Sequence, residues 1–470
     1  MTDDDHKQLK PRADDGWCER LCAWADESDI QEKELPRDKT KLLAMQELRI
    51  SRARFTALPA EIGQFGNLQE MYLWDNQLSS LPPEIGRLGN LQTLDLRGNK
   101  LGTLPPEIGQ LDKLQKLDLR GNQLTTLPPE IGQLGKLQKL DLSWNPLTTL
   151  PAAITQLDNL QDITIDGHLL LELIDMAPHL PKLKSLELFN LTTLPAEIGQ
   201  LGNLQNLYLL DKQLTALPAE VGQLGNLQEI TMAGHLLLEL IDMVPHLPKL
   251  KSLSLFKLTT LPVEIGRLGN LQFLDLSFNQ LTDLPATIRK LGNLQLLDLS
   301  LNQITSLPAE IGQLSNLQKL YLSDNQLTTL PAQIGQLGNL QELHLDSNEL
   351  TALPDSIGQL GNLRILDLSG NQLTDLSATI WQLGNLQKLY LSDNQLTDLP
   401  AAIEQLGNLQ TLDLSWNQLT ALPAALGKLG NLQTLDLSWN KFTALPASLK
   451  RLYRERHGLL EINLNNKSLL

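Results

Sequence analysis

The sequence predicts an α/β solenoid, a stack of units that each contain one short β-strand and one short helical segment around a shared leucine core. Three observations predict it. Leucine recurs in one register at Leu58, Leu81, Leu104, Leu127, Leu150, Leu173, Leu194, Leu217, Leu240, Leu261, Leu284, Leu307, Leu330, Leu353, Leu376, Leu399, Leu422 and Leu445. The steps are 23 residues, broken only by two of 21, and Pro follows at all but Leu173, Leu240 and Leu376; a fixed period of this length marks a repeat architecture. Within a unit the apolar spacing changes from two to three, the change from strand to helical turn. Hydrophobic residues make up 41% of the 470 residues but aromatics only 4%, so leucine and isoleucine have to fill the core.

Residues 1–45 lie outside the period and are expected to form an N-terminal helical cap. Trp17, Leu21 and Trp24 share one helical face, with Cys18 and Cys22 beside it at i and i+4. That face is expected to cover the first open edge of the stack, because terminal units of a solenoid differ from the middle ones. No other ligand stands near the two thiols, and an i, i+4 pair is poorly placed for a bridge, so a structural role is expected of them. A helix from Thr40 to Gln46 then leads into Leu48 and Ile50, the first strand; Ala53 makes this unit degenerate, because later units place Asn there.

The array itself spans 46–450. In the stretch 91–101, Leu94 and Leu96 point into the core, while Thr93, Asp95 and Arg97 point out. Asn99 stands where the chain turns back, and recurs as Asn76, Asn122, Asn145, Asn279, Asn302, Asn325, Asn348, Asn371, Asn394, Asn417 and Asn440. A buried turn leaves backbone groups unpaired, and an amide side chain both donates and accepts, so these residues are expected to form a ladder. The second half of the unit, 104–111, opens with Pro105 and Pro106, which suit a first helical turn. Ile108, Leu111 and Leu114 keep a spacing of three that fits a short 3₁₀ or α segment, and Gly109 reads as a turn residue that ends it.

Two irregular stretches, near 163–193 and 230–260, hold the 21-residue steps. The segment from His168 to Pro181 returns as His235 to Pro248 with one change, Ala177 to Val244, so a block of three units is duplicated. His168, His235 and Lys212 stand at the ladder position, and the missing Asn side chains are expected to loosen the stack or alter its curvature locally. His168 and His179, like His235 and His246, are 11 residues apart, and the two copies lie three strands apart, so they read as turn residues and not as one metal site. At the other end, residues 451–470 are expected to be a C-terminal cap or tail, with Leu459 to Leu464 a final strand.

Length, leucines, ladder Asn and Leu-Pro together resemble the leucine-rich repeat family, in particular the 23-residue units of bacterial repeat proteins and of intracellular Ras-associated repeat proteins. The resemblance implies a horseshoe or arc with a concave parallel β-sheet and short convex 3₁₀/α segments. It also implies a protein-recognition scaffold, because that is what such arrays usually are, although one fold carries many roles.

Composition narrows the function further. Asp and Glu outnumber Lys and Arg 54 to 38, a net charge of -16, which argues against a groove that tracks phosphates and against an anionic membrane surface. The acidic start Met1-Thr2-Asp3-Asp4-Asp5 lacks the basic and apolar regions of a signal peptide, no apolar run reaches membrane-spanning length, and cysteines are few. A cytoplasmic protein is the default expectation, with non-classical export the alternative. Polar residues come as copies at equal intervals, without an isolated catalytic constellation, a phosphate-cradling loop or a metal-ligand cluster, so neither an enzyme nor a cofactor is expected.

The working surface is expected on the outward strand positions. The middle column reads Tyr72, Asp95, Asp118, Asp141, Tyr208, Asp275, Asp298, Tyr321, His344, Asp367, Tyr390, Asp413 and Asp436. Lys319 and Trp74 stand in flanking columns, and Trp144, Phe278, Trp416 and Trp439 at the strand-to-turn corner. Aligned carboxylates favour a partner with a basic patch, and aromatics outside the core are typical of binding hot spots. One contact region is expected from Trp416 and Trp439 through Asp413, Asp436, Tyr390 and His344 to Tyr321 and Lys319, and a separate one at Tyr72, Trp74 and Trp144. An intracellular signalling scaffold is the first reading. A bacterial factor that binds host proteins, or a carbohydrate-recognising structural array, is the alternative.

Overall fold

The structure, a computed structural model, describes residues 16–456 and 459–465. The acidic start, His457 and the last five residues of the expected tail lie outside the described residues. The chain forms two compact units, 1–224 and 225–470. Among the described residues no helix is long and apolar enough to cross a membrane.

The first unit opens with α1 (Trp17–Glu27) and α2 (Lys39–Ala44). Trp17, Leu21 and Ala25 form the buried face of α1. Trp24 lies to one side, where its ring meets Phe55 edge-on at 5.3 Å and its Nε1–H donates to the Ala57 carbonyl at 3.1 Å. Asp38 accepts from the Lys41 N–H and caps α2, which ends at Ala44 and not at Gln46 because Met45 is extended. Cys18 and Cys22 are free thiols, and burial, with Cys18 next to it, pushes the Cys22 thiol up.

Parallel strands then follow one per repeat, each paired with the next in sequence: Glu47–Arg49, Glu70–Tyr72, Thr93–Asp95, Lys116–Asp118, Lys139–Asp141, Asp162–Asp166, Ser185–Phe189 and Asn206–Leu209. The register is the repeat period, so Leu94 faces Leu117 and Leu117 faces Leu140. Each of these strands except Asp162–Asp166 returns through a five-residue 3₁₀ segment such as Pro106–Gln110. The leucines and isoleucines of both halves are almost wholly buried in one continuous core.

Glycine at the end of the helical turn has a different reason from the one its position suggested. A Cβ on Gly109 would lie 2.6 Å from the Glu130 carbonyl oxygen of the next unit, and one on Gly312 would lie 2.3 Å from that of Gln333. These residues are small so that neighbouring helical segments can touch, rather than to end the segment.

The ladder asparagines are buried at the turn. Asn99 donates to the carbonyls of Leu73 and Leu96, both at 2.9 Å, and accepts from the Leu78 N–H at 3.1 Å. The residue just before the ladder Asn takes the left-handed conformation: Gly98, Gly121 and Gly370 do so freely, whereas Trp144, Phe278, Trp416 and Trp439 do so with φ of 54–57°.

The irregular stretches depart from the loosened turn expected of them. Residues Leu170–Met176 form α3 and Leu237–Met243 form α4, true α-helices flanked by single 3₁₀ turns. The strands beside them lengthen from three residues to five. The ladder is repaired by other groups: the His168 imidazole hydrogen-bonds the Leu147 carbonyl at 2.6 Å, and Asp211, not Lys212, accepts from the Leu191 N–H at 2.8 Å.

The second unit repeats the scheme from Glu229–Ala233 and Ser252–Phe256 through three-residue strands up to Thr434–Asp436, each paired with its successor. Helix α5 (Ala447–Glu455) buries Leu449 and Leu452, and a last strand, Glu461–Asn463, pairs with Thr434–Asp436.

Candidate functional site

On the first unit the outward column runs Tyr72, Asp95, Asp118, Asp141, Thr164, Glu187 and Tyr208, each opposite the next in register. It floors a groove of about 570 Å³ with a tyrosine at each end. The carboxylates are not free charges. Asp95 and Asp118 accept from the N–H two residues on, and Asp141 accepts from both the N–H and the hydroxyl of Ser143. Burial, with Asp118 alongside, raises Asp95, and burial pushes Asp141 up to about 6. Column repulsion is therefore relieved partly by these bonds and partly by easier protonation.

The aromatics of this unit divide into two places. The Arg49 guanidinium lies 4.2 Å from the Tyr72 ring centre, while Arg52 and Arg97 lie 4.7 and 5.5 Å from that of Trp74. The chain supplies its own cations to these rings. Trp144 instead packs against Phe189 at 5.8 Å and stays 53% exposed.

On the second unit one column runs Tyr321, His344, Asp367, Tyr390, Asp413 and Asp436 in register. Lys319 pairs with Glu342 at 3.0 Å, and the Tyr321 hydroxyl donates to the same carboxylate at 2.9 Å. Tyr321 meets the His344 ring edge-on at 5.0 Å. Burial, then the charges of Asp367 and Asp413, raises the Tyr390 hydroxyl. Asp413 and Asp436 each accept from the N–H and hydroxyl of Ser415 or Ser438, so one oxygen of each is committed to the turn. At the corner Trp416 and Trp439 stack with centres 4.5 Å apart and planes 17° apart, each 55% exposed.

Asp346, absent from the surface read from the sequence, stands out together with Asp367, which was in its middle column. Asp346 and Asp367 bring carboxylate oxygens to within 4.8 Å of each other and of a ring nitrogen of His344. The signal was a local exchange: where most neighbouring units read Asp-Leu-Ser, this one reads His344-Leu345-Asp346.

Comparison with known proteins agrees with the repeat. Family profiles described as leucine rich repeat match residues 66–124, 112–170, 338–396 and 384–442, with a leucine-rich repeat region at 289–360 and a further repeat at 270–291. Together they cover 66–170 and 270–442, more than half of the chain. Among curated proteins no match is found. Of solved structures, a Leptospira interrogans leucine-rich repeat protein is 38% identical over 91% of this chain and 98% of its own, with a TM-score of 0.49. The TLR13–ssRNA13 complex is 24% identical over 89% and 74%, with a TM-score of 0.61. The Arabidopsis receptor kinase HAESA, in complex with the peptide hormone IDA and the co-receptor SERK1, is 26% identical over 85% and 74%, with a TM-score of 0.44.

These likenesses correct two expectations. The TLR13 structure shares the fold, and the fold by itself sets no compartment, so the cytoplasmic default is withdrawn. Leucine packing and Asn ladders hold in reducing and oxidising compartments alike, and a low cysteine count does not choose between them. The expectation of no nucleic acid is narrowed as well, because the TLR13 structure is an RNA complex and the fold itself sets no bar; only this chain's acidity argues against it. With repeat profiles over most of its length and a parallel stack of 23-residue units beneath them, the chain belongs to the leucine-rich repeat family, a family of scaffolds rather than catalysts.

Proposed function

We propose that this chain is a protein-recognition scaffold that anchors its partner at Trp416 and Trp439, beside the outward column of the second unit. The stacked tryptophans carry the reading. Each is held with positive φ at a position where Gly98, Gly121 and Gly370 sit unstrained, and each leaves about half its surface to solvent. A bulky residue in that conformation costs on the order of 1–3 kcal/mol, and its exposed ring returns little of that to the fold. A binding role accounts for retaining it. Tyr390, His344, Tyr321 and Lys319 extend the contact surface along the column, and the net charge of -16 favours a partner with a basic patch. Tyr72, Trp74 and Trp144 are proposed as a separate, subsidiary contact.

A bacterial factor that acts on proteins of another cell is favoured over an intracellular signalling scaffold. The support is the near-exact copying of units, including the repeated block from His168 and from His235, which resembles bacterial repeat proteins that grow by duplication. The test is affinity capture with mass spectrometry, run in parallel on the wild type and on Trp416→Gly and Trp439→Gly. A partner captured by the wild type is expected to be lost from both variants. Their stability should equal that of wild type or exceed it by up to about 1–3 kcal/mol, because the strain relieved outweighs the stacking lost. Undiminished capture by both variants rejects the anchor, and detection of the protein only inside the producing cell rejects the favoured setting.

A further inference from the structure

We propose that His344, Asp346 and Asp367 form a binding site for a divalent transition-metal ion of the zinc class on the sheet face of the second unit. The first ground is a break in the copying. Asp275, Asp298, Asp367, Asp413 and Asp436 each accept a hydrogen bond from the N–H of the serine two residues on. At one unit both members change together, to His344 and Asp346. The exchange puts an imidazole opposite Asp367 in the strand register and moves a carboxylate one column sideways, beside both.

The donor set is the second ground. One imidazole and two carboxylates suit zinc and its neighbours, whereas calcium and magnesium take oxygen donors and more of them. Zinc bonds of about 2.0–2.2 Å at tetrahedral angles hold two ligand atoms roughly 3.4 Å apart. The three groups already lie within 4.8 Å of one another, so side-chain rotations that draw the ligand atoms together by about 1–1.5 Å close the site. Three protein ligands leave a fourth tetrahedral position for water or for a donor group brought by a partner.

The surroundings orient the ligands in the manner of an outer shell. The Ser323 hydroxyl donates to Asp346 Oδ1 at 2.6 Å and the Ser369 N–H donates to Asp367 Oδ1 at 3.0 Å, so one oxygen of each carboxylate is fixed and the other is left for a ligand bond. The edge contact with Tyr321 sets the plane of the imidazole. Among the described residues no side chain hydrogen-bonds the ring nitrogens of His344 in return.

The sequence supplies its own control. The double variant His344→Asp/Asp346→Ser restores the pattern of the neighbouring units and is expected to fold and melt like the wild type. Full-length protein stripped with a chelator is titrated with Co²⁺, followed by visible absorption, and the cobalt is then displaced with Zn²⁺. The wild type is expected to bind one cobalt with the intense absorption of a four- or five-coordinate ion. The double variant should lose that absorption, Asp367→Asn should weaken binding at least about tenfold, and Ser323→Ala about tenfold through its orienting bond. Absence of the absorption in the wild type overturns the site. Equal absorption in the double variant also overturns it, because the ion then sits on other residues.

Discussion

One amide answers three backbone groups at Asn122. It donates to the carbonyls of Leu96 and Leu119 at 3.0 and 2.9 Å and accepts from the Leu101 N–H at 3.0 Å. Asn122→Ala leaves the Leu101 N–H buried and bare, while Asn99 still donates to the Leu96 carbonyl and Asn145 to the Leu119 carbonyl, so a loss of about 1–3 kcal/mol is expected in chemical denaturation. Asp141 makes a prediction of opposite character. Burial lifts its pKa from 3.8 to about 6, so the folded chain holds a proton that the unfolded chain has released. Its contribution to stability is therefore full below about pH 4 and is lost as pH rises towards 6. Asp141→Asn keeps an acceptor for Ser143 and should flatten the stability profile across that window relative to wild type. At this scale the sequence told much: the phase of each Asn alone located it at a buried turn. It could not tell that Asp141 is bound by Ser143, because outward strand positions look solvent-facing until the corner folds back over them.

Between elements, the decisive contacts join residues 23 or so apart in sequence, and those were the hardest to foresee. Gly109 looked like a stop signal because its own segment gives no hint of the Glu130 carbonyl beyond it. Gly312→Ala is expected to cost about 1–3 kcal/mol through overpacking against Gln333. Gly338→Ala, where nothing lies within 4 Å of the added carbon, should cost almost nothing and serves as the control in thermal melts. The same blindness hid the sideways neighbours of His344: its place in the column was readable, but the meeting with Asp346 and Asp367 needs the register and the turn together. For α3 and α4 the missing Asn suggested a weak turn, whereas the Leu169–Leu173 run held enough helix-forming residues to make a helix instead.

For the molecule, the period was legible nearly in full, since the strands and 3₁₀ segments follow it from Leu48 to Leu435. What regularity withheld was individuality: copied columns say little about a partner, and cysteine count and charge did not decide the compartment. Regularity does permit a sharp prediction. In a solenoid each unit interacts mainly with its neighbours, and His168 and His235 occupy equivalent places 67 residues apart. Deletion of residues 168–234 joins Gly167 to His235, reproducing the local sequence Gly-His, and should give a folded, cooperatively melting chain with an unbroken repeat. A deletion shifted to half a period, such as 168–223, should not fold cooperatively; circular dichroism and calorimetry distinguish the two.

The reach of the ladder amides has a direction. Asn99 serves the Leu73 carbonyl and the Leu78 N–H, and Asn122 those of Leu96 and Leu101, always in the preceding unit. A chain leaving the ribosome therefore finds each new amide's partners already synthesised, and every unit can be locked as it emerges without waiting for the carboxyl end. The first repeat is served by Asn76, which donates to the Ile50 carbonyl and accepts from the Ala53 N–H, but it has no earlier repeat to reach back to; this gives the amino-terminal helices a task in time as well as in space, since they close the starting edge before the next copy arrives to be stacked.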